Sequence, residues 1–350
     1  MVTAGPLARV VRGDLVESVH LGHLVVVGPD GVVRFVVGDP AGTIWPRSSL
    51  KPVQAVAMLR AGLEVDEAGL ALACASHSGT DAHLAVVRGV LAGVGLTEAD
   101  LQNTTDLPLD PAAALAWQQA GRPASSITQN CSGKHAAMLA TCVAAGWDPA
   151  TYRDPGHPLQ QAIRATVADL TGVPVDHVTV DGCGAPLLST TVLGLARAFG
   201  RIAAAGASQL GPGPAAHEAR VARAMAARPE LVGGPGRDVT AFMVAVPGLI
   251  AKDGAEGVYA AGLADGSALA FKVADGSARP RAAVLAAALA IALRPAVDAG
   301  GLDPRVVDAV RAVGRTPVLG HGRPVGAVTA MLEDAVGAVT AVRGDAGGAR

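Results

Sequence analysis

The pattern of hydrophobic and polar positions predicts strands at both ends of the chain and helices between them. HLVVVGPDGVVRFVVGD, residues 23–39, has two apolar runs around Pro29-Asp30-Gly31, which predicts a β-hairpin. From residue 48 to about residue 246, apolar residues mostly recur at helical spacing, with glycine and proline between the predicted helices. Strands return after Pro247, and a long alanine-rich helix is predicted from about Pro280, before one or two last strands.

This order predicts an α/β protein of the α+β type, in which an antiparallel sheet flanked by helices carries an inserted helical lobe. Within one unit, residues 1–52 and 247–350 are assigned to the sheet lobe, and residues 53–246 to the mostly helical lobe. The strands from both ends are expected to join one sheet. A ligand cleft is expected between the lobes.

Composition and charge exclude several classes of protein. The longest apolar run, residues 282–293, is too short to span a bilayer, so no membrane partner is expected. The formal net charge is −2 with both signs dispersed, which argues against nucleic acid as a partner. The first residues lack the apolar core of a signal peptide, and the four cysteines form no dense disulfide pattern. We therefore expect a cytoplasmic protein.

Lysine is scarce, because only four of the 28 basic residues are lysines: Lys51, Lys134, Lys252 and Lys272. Such an arginine bias suggests that a retained lysine loses its proton, which arginine cannot do. In WPRSSLKPVQ, residues 45–54, a helix with Ser48 as its N-cap is predicted. Ser48 and Lys51 then share a helix face, so a neutral Lys51 amine could take the Ser48 proton.

Ser49 is a distant second choice for this nucleophile. Taken alone, the spacing fits a capping serine and a solvated lysine better. Two further stretches change that weighing: ASHSG, residues 75–79, and KDG, residues 252–254. Each has an ordinary alternative, a helix C-terminus for the first and a hairpin turn for the second. Together with SSLK they follow the order of motifs in penicillin-recognising serine hydrolases.

Five stretches together are more specific: RSSLKP, CASHSG, QNCSGKHAAML, DGCGAP and AKDGAEGV. Over nearly the whole chain they resemble the Rhizobium-type (class 3) L-asparaginases, the asparaginase II-like family. The resemblance implies a serine β-lactamase-like fold that hydrolyses the side-chain amide of L-asparagine, as a homodimer. It matches Ser48 and Lys51 to the nucleophile and its base. Ser76 matches the second serine, and Lys252 the lysine of the K-x-G strand.

In β-lactamases the middle motif lies far down the helical lobe, whereas ASHSG follows Lys51 closely. Ser78 therefore remains an alternative to Ser76. The backbone amide of Ser48 is a candidate oxyanion donor, and Lys252 with Ser76 would relay protons or hold charge. Candidate substrate-binding residues are Arg47, His77, Asp181, Gly254 and Glu256.

Cysteine and lysine recur in CSGK, residues 131–134, and in DGCGAP around Cys183. From the residues alone, Cys131 and Cys183 are interpreted as small buried hydrophobic residues. The resemblance implies instead a zinc site formed by Cys131, Lys134 and Cys183, although a lysine amine is an unusual ligand. His135 could be a further ligand or a packed helix residue. Cys74 and Cys142 are predicted to lie in the core, and Lys272 on the surface.

The function predicted from these residues is that of an L-asparaginase working through a serine acyl-enzyme. One alternative is a penicillin-binding-like serine peptidase or esterase. The other, from a different class, is a non-catalytic protein whose lysines and cysteines hold a ligand or a structural metal.

Overall fold

An antiparallel sheet forms the body of the protein in a computed structural model, which describes residues 3–208 and 215–332. Within those residues the strands run in the order β11-β12-β1-β2-β10-β9-β8, and β3 pairs with β2. These strands are β1 (Gly5–Arg12), β2 (Leu15–Val27), β3 (Val33–Val37), β8 (Ile250–Gly254), β9 (Val258–Gly262), β10 (Ala268–Val273), β11 (Thr316–Gly320) and β12 (Arg323–Ala330). Two small pairs lie apart from it: β4 (Thr43–Ile44) with β7 (Thr190–Thr191), and β5 (Val178–Val180) with β6 (Pro186–Leu188).

The two ends of the chain meet in this sheet through one pair of strands. Val27 of β2 lies opposite Ala268 of β10, and the pairing continues to Gly22 opposite Val273. The predicted hairpin is also formed, because β2 pairs with β3 across the turn that contains Gly31. Every residue of β8 and β9 is buried, so β9 lacks charged side chains, whereas β8 buries two of them, Lys252 and Asp253.

Among the residues that the structure describes, helices make up most of the chain between β4 and β8, apart from the short strands β5 to β7, and two further helices follow β10. The α-helices are α1 (Lys51–Arg60), α2 (Glu67–Ala73), α3 (Asp81–Ala92), α4 (Pro111–Gln119), α5 (Ser132–Ala145), α6 (Pro158–Thr171), α7 (Val192–Ala207), α8 (Ala216–Ala227), α9 (Pro229–Val232), α10 (Asp238–Ala245), α11 (Arg281–Asp298) and α12 (Arg305–Val313). Helix α7 packs on β2, β9 and β10, and α11 packs on the sheet and on α12. No described helix has the length and hydropathy needed to cross a membrane.

Glycine allows α7 to approach the sheet closely. A Cβ atom on Gly262 of β9 would lie 2.4 Å from the carbonyl oxygen of Phe199 in α7. The predicted fold class, an antiparallel sheet with flanking helices and a helical insertion, is thus confirmed. The exact lobe boundaries stay a prediction, and parts of both predicted ends lie outside the described residues.

Candidate active site

Ser48 lies in a strained turn ahead of α1. Residues Arg47–Leu50 form a 3₁₀ turn, and Arg47 has a φ of 53°, in the left-handed region. For a residue other than glycine this conformation costs roughly 1–3 kcal/mol and is found mainly at functional sites. The expectation that Ser48 caps the helix was wrong, since Pro46 holds the cap position of the turn and no side chain caps it. Within the described residues the Ser48 hydroxyl has no protein partner, so it remains available.

Lys51 is buried and its amine pairs with the second serine. Its Nζ donates a hydrogen bond to the carbonyl oxygen of Ala75 and lies 3.1 Å from Ser76 Oγ. The sequence predicted a pairing with Ser48. The N–H groups of a buried amine need acceptors around them, and the loop after α2 supplies two. Ser78 is not the serine beside Lys51, because its hydroxyl donates to Gly233 O at 3.1 Å.

Lys252 is fully buried on β8 and is held by its neighbour. Its Nζ lies 2.7 Å from Asp253 O and 2.5 Å from Asp253 Oδ1. Burial lowers the pKa of Lys252 to about 8; the Asp253 charge opposes this shift, and the charge of Lys51 adds to it. A neutral amine has two N–H groups, which Asp253 can occupy, so its lone pair is free to accept a proton.

Strand β8 brings Lys252 towards the Ser48 turn. A Cβ atom on Gly254 would lie 2.8 Å from Pro46 O and 3.4 Å from Ser49 N, so this side of the strand abuts the turn. Residues i and i+2 of a strand share a face, which puts Lys252 on the same side as Gly254. The K-x-G strand therefore meets the serine turn, although about 200 residues separate them in the chain.

Three charged side chains surround the approach to Ser48. Arg47 Nε donates to Asp181 Oδ1 at 2.7 Å, and its NH1 lies 4.0 Å from Glu256 Oε1. Burial alone would raise the pKa of Asp181, but the charges of Lys134 and Arg47 outweigh it and lower the pKa. Glu256 is mostly exposed and has a φ of 57°. The arrangement presents both signs of charge at short range beside Ser48.

Cys131, Lys134 and Cys183 come together beside these groups. Cys131 precedes the first residue of α5, and Lys134 Nζ lies 3.1 Å from Cys183 Sγ, which belongs to the turn between β5 and β6. The Cys131 thiol lies 3.1 Å from Asn130 Oδ1 and is buried against Cys183. The neighbouring Cys131 thiol, with the charge of Lys134, lowers the pKa of Cys183 to about 4 against the effect of burial. The interaction with Cys183, together with burial, raises the pKa of Cys131 to about 12. These shifts favour a thiolate at Cys183, a thiol at Cys131 and a charged amine at Lys134.

Comparison with known proteins identifies the family of the chain. The family model of L-asparaginase II matches residues 8–330. The chain belongs to the L-asparaginase II family. No curated protein sequence matches it.

Two solved structures have low similarity to the chain. One, described as Mglu, has 16% sequence identity and a TM-score of 0.42, over 80% of this chain and 67% of that chain. The other, a β-lactamase from Mycobacterium bovis, has 15% identity and a TM-score of 0.35, over 84% of this chain and 94% of that chain.

The structure also places the other predicted residues, among them His77, Cys74 and Cys142. His77 is fully buried, its Nε2 lies 2.8 Å from Ser132 Oγ, and its Nδ1 accepts from the Gly79 amide at 3.1 Å. Both ring nitrogens are therefore engaged, and His77 supports the start of α5 instead of offering a free nitrogen to substrate. Cys74 and Cys142 lie in the hydrophobic core, as expected.

His135 lies directly after Lys134 and is also buried. Its Nδ1 is 2.7 Å from the Tyr152 hydroxyl, while its Nε2 has no partner among the described residues. Burial, with the charge of Lys134, lowers the pKa of His135 well below its usual value, so the ring is neutral. In the described part of the chain, no three His, Cys, Asp or Glu side chains converge to hold a metal, so Lys134 would have to be a ligand.

Lys272 is not the plain surface residue that the sequence suggested. Its Nζ donates to the carbonyl oxygens of Glu256 and Val273, at 2.5 and 2.8 Å. It also lines a cavity of about 600 Å³ beside Trp45. Lys272 therefore fixes the backbone of Glu256, which the sequence alone could not indicate.

Sequence reasoning missed a group of charged residues behind Lys252. Asp253 was interpreted only as part of a turn, but it is buried and forms ion pairs with Lys252 and Arg237. Arg281 NH1 is 3.7 Å from the same carboxylate. The arginines are distant in sequence and carry no motif. The only available signal was the aspartate next to the K-x-G lysine.

Proposed function

We propose that this protein is an L-asparaginase that hydrolyses L-asparagine to L-aspartate and ammonia through an acyl-enzyme on Ser48. Membership in the L-asparaginase II family supports the substrate. The observation that carries the serine chemistry is the buried Lys252 amine, whose pKa is lowered to about 8, on the strand face that abuts the Ser48 turn. Near neutral pH an amine with this pKa can accept the proton of a hydroxyl group.

In the first half-reaction, Ser48 Oγ attacks the side-chain amide carbon and its proton passes to Lys252. The Ser48 amide, which has no backbone acceptor among the described hydrogen bonds, is the candidate donor to the oxyanion. Collapse of the tetrahedral species breaks the C–N bond, and ammonia leaves with a proton delivered through Lys51 and Ser76. Water then hydrolyses the aspartyl ester: Lys51, now neutral, takes a proton from the attacking water through Ser76, and Lys252 returns its proton to the Ser48 oxygen as the ester bond breaks.

Arg47, Asp181 and Glu256 would hold the α-carboxylate and α-ammonium groups. A guanidinium is suited to a carboxylate because it binds two oxygens at once, and the two acidic side chains would accept from the ammonium. Gly254 keeps the backbone of β8 close to the turn, since any side chain there would collide with Pro46 O. This assignment explains why a strained arginine adjoins the nucleophile.

Ammonia release from asparagine, glutamine and short amides tests the substrate. We expect asparagine to have the higher kcat/KM, by a factor of about 10 to 200, because one methylene group in a pocket is worth roughly 1–3 kcal/mol. Equal kcat/KM for the two amino acids would contradict the specificity. Labelling of Ser48 by a β-lactam, without ammonia release from asparagine, would identify a penicillin-binding-type hydrolase instead.

We also propose that Cys131, Lys134 and Cys183 bind zinc. A thiolate, a second thiol and an amine within contact of one another suit zinc better than magnesium or calcium. Burial alone would lower the pKa of Lys134, but the cysteine sulfurs outweigh it and raise the pKa, so binding must displace a proton from the amine. When bound, zinc would supply a Lewis acid at the edge of the site. Ser48 and the two catalytic lysines already supply the nucleophile.

Zinc removal is expected to raise KM or lower activity moderately, far less than loss of Ser48. Elemental analysis of protein purified without chelator should find about one zinc per chain, and adding zinc to the metal-free protein should release protons. Cys131→Ser should lose the metal, whereas Cys142→Ser, in the core, should retain it. Absence of zinc, together with full activity of Cys131→Ser, would reduce the cluster to packing.

We further propose that the protein acts as a homodimer in the cytoplasm. Light scattering of the purified protein should give about twice the 34.7 kDa mass of one chain. A monomer at all concentrations would contradict this part of the proposal.

A further inference from the structure

A buried cluster of charges lies behind Lys252. The Asp253 carboxylate is bonded on one side by Lys252 Nζ and on the other by Arg237 NH2, at 2.8 Å. Arg281 is a third cation near it, and also donates to Gly254 O at 2.9 Å. Removing one partner from a buried ion pair leaves an uncompensated charge, so each member of this group depends on the others.

Arg237 joins two separate parts of the site. It directly precedes α10, and its NH2 group binds Asp253 of β8 while its NH1 group donates to the carbonyl oxygen of Ser76, at 3.3 Å. A planar guanidinium can bond two acceptors with fixed geometry, whereas a lysine ammonium has a single nitrogen. The strand that carries Lys252 and the loop that carries Ser76 are thus tied by one side chain.

We propose that Arg237 and Asp253 are positioning residues that hold the Ser76 loop against strand β8. They thereby fix the distance between Ser76, which pairs with Lys51, and Lys252, which lies beside the Ser48 turn. This inference rests on the proposed function, since the elements it fixes are the ones assigned to catalysis. Neither residue is assigned a contact with the substrate, and each acts through a neighbour. Asp253 orients the Lys252 amine, and Arg237 orients Asp253 and the Ser76 backbone.

The surrounding charges predict that substitutions here shift the pKa of Lys252, which a role in packing alone would not produce. Lys252 is faced by Asp253 on its own strand, by Lys51 of α1, by Arg237, and by Cys74 after α2. Burial raises the pKa of Cys74 to about 12, so that thiol is neutral. Asp253 favours the protonated amine, whereas Arg237 and Lys51 disfavour it.

The groups facing Asp253 complete this description. Arg237 and Arg281 bind it, while Asp238 and Tyr259 lie close enough to influence it. Burial, with the charge of Asp253, raises the pKa of Asp238, and burial raises that of Tyr259 far above its usual value. Asp253 itself stays ionised, because Lys252 and the two arginines lower its pKa against the effect of burial.

Three variants separate the effect of charge on the pKa of Lys252 from the link that Arg237 makes between the Ser76 loop and β8. Asp253→Asn removes the anion, so the pKa on the acid limb of the kcat/KM profile should fall below that of the wild type. Arg237→Met removes a cation and should move that limb to higher pH. Arg237→Lys keeps the charge but cannot span both acceptors, so the limb should stay in place while kcat falls by about 10²-fold, the cost of a displacement near 1 Å.

Arg279→Lys is the matched control, because Arg279 is an exposed arginine on the same segment as Arg281 and outside the site. Its profile should equal that of the wild type. Where Asp253→Asn does not fold, the double variant Asp253→Asn/Arg237→Met removes both members of the pair. Since their effects on Lys252 oppose each other, its limb should return towards the wild-type position. A wild-type kcat in Arg237→Lys, or acid limbs that do not move in the other variants, would overturn the inference.

Hydrogen exchange tests the link between the Ser76 loop and Arg237 without using activity. The amides of Ser76 and Ser78 donate to Val232 O and Gly233 O, next to the segment that carries Arg237. In Arg237→Lys these amides should exchange faster than in Arg279→Lys, whatever the substrate of the enzyme. Unchanged exchange would refute the link. Absence of ammonia release from asparagine by the wild type would refute the proposed function alone.

Discussion

Replacing Ser48 with alanine is expected to lower kcat for asparagine hydrolysis by roughly 10⁴-fold or more, because the acyl-enzyme cannot form without the hydroxyl group. The structure leaves this hydroxyl free of protein partners among the described residues, at a strained turn that contacts β8. Loss of the oxygen should affect turnover far more than stability, since the side chain supports no hydrogen bond. Steady-state ammonia release and thermal unfolding measure the two effects.

Ser49→Ala is the matched control for this prediction. Its hydroxyl donates to Pro46 O at 2.5 Å, so alanine should cost some stability while turnover is retained. Ser48→Ala combined with Lys252→Ala should be little slower than either single variant, because groups that act as a unit are not additive. Substantial activity in Ser48→Ala, with loss in Ser49→Ala, would move the nucleophile to the neighbouring serine.

Local pattern was sufficient for the elements but not for their contacts. The hairpin around Gly31, the strand that carries KDG and the helix after Pro280 were all predicted, because each depends on periodicity and turn residues within a short window. The helix start at Ser48 was misplaced, since the 3₁₀ turn is stabilised by Asp181, more than 130 residues away. No short window contains that interaction.

The same limit applies to the site. The stretches named from sequence do converge on one region, yet the partner of Lys51 proved to be Ser76, which only the packing of the loop after α2 decides. Arg237 and Arg281 could not be found, because single arginines in a chain rich in arginine give no signal. Sequence identified the residues that carry chemistry, and the fold determines which of them touch.

Lys252 is expected to determine how asparagine hydrolysis depends on pH, and this is the second large effect. Because burial lowers its pKa to about 8, the neutral amine becomes more abundant as pH rises through that value. Activity should therefore rise with pH and level off above about 8. Lys252→Arg keeps a cation at every accessible pH, so kcat should fall by about 10²- to 10⁴-fold, the usual contribution of a general base.

Lys51→Arg distinguishes the two amines. It should also be slow, because the proton relay through Ser76 is lost, but its remaining activity should still rise towards pH 8. In Lys252→Arg that rise should be absent. If Lys51→Arg abolishes the rise and Lys252→Arg retains it, Lys51 is the base, as its spacing from Ser48 first suggested.

Protein stability offers a check on Lys252 that does not require substrate. A lysine whose pKa is lower in the folded protein binds fewer protons than in the unfolded chain, so stability increases with pH between about 8 and the ordinary value of 10.5. Below pH 8 the full cost of burying the ammonium is present. Lys252→Met removes the titrating group, and the difference in unfolding free energy between this variant and the wild type should change across that interval. A constant difference would show that the Lys252 amine titrates as it does in water, and it could not then serve as the base for Ser48.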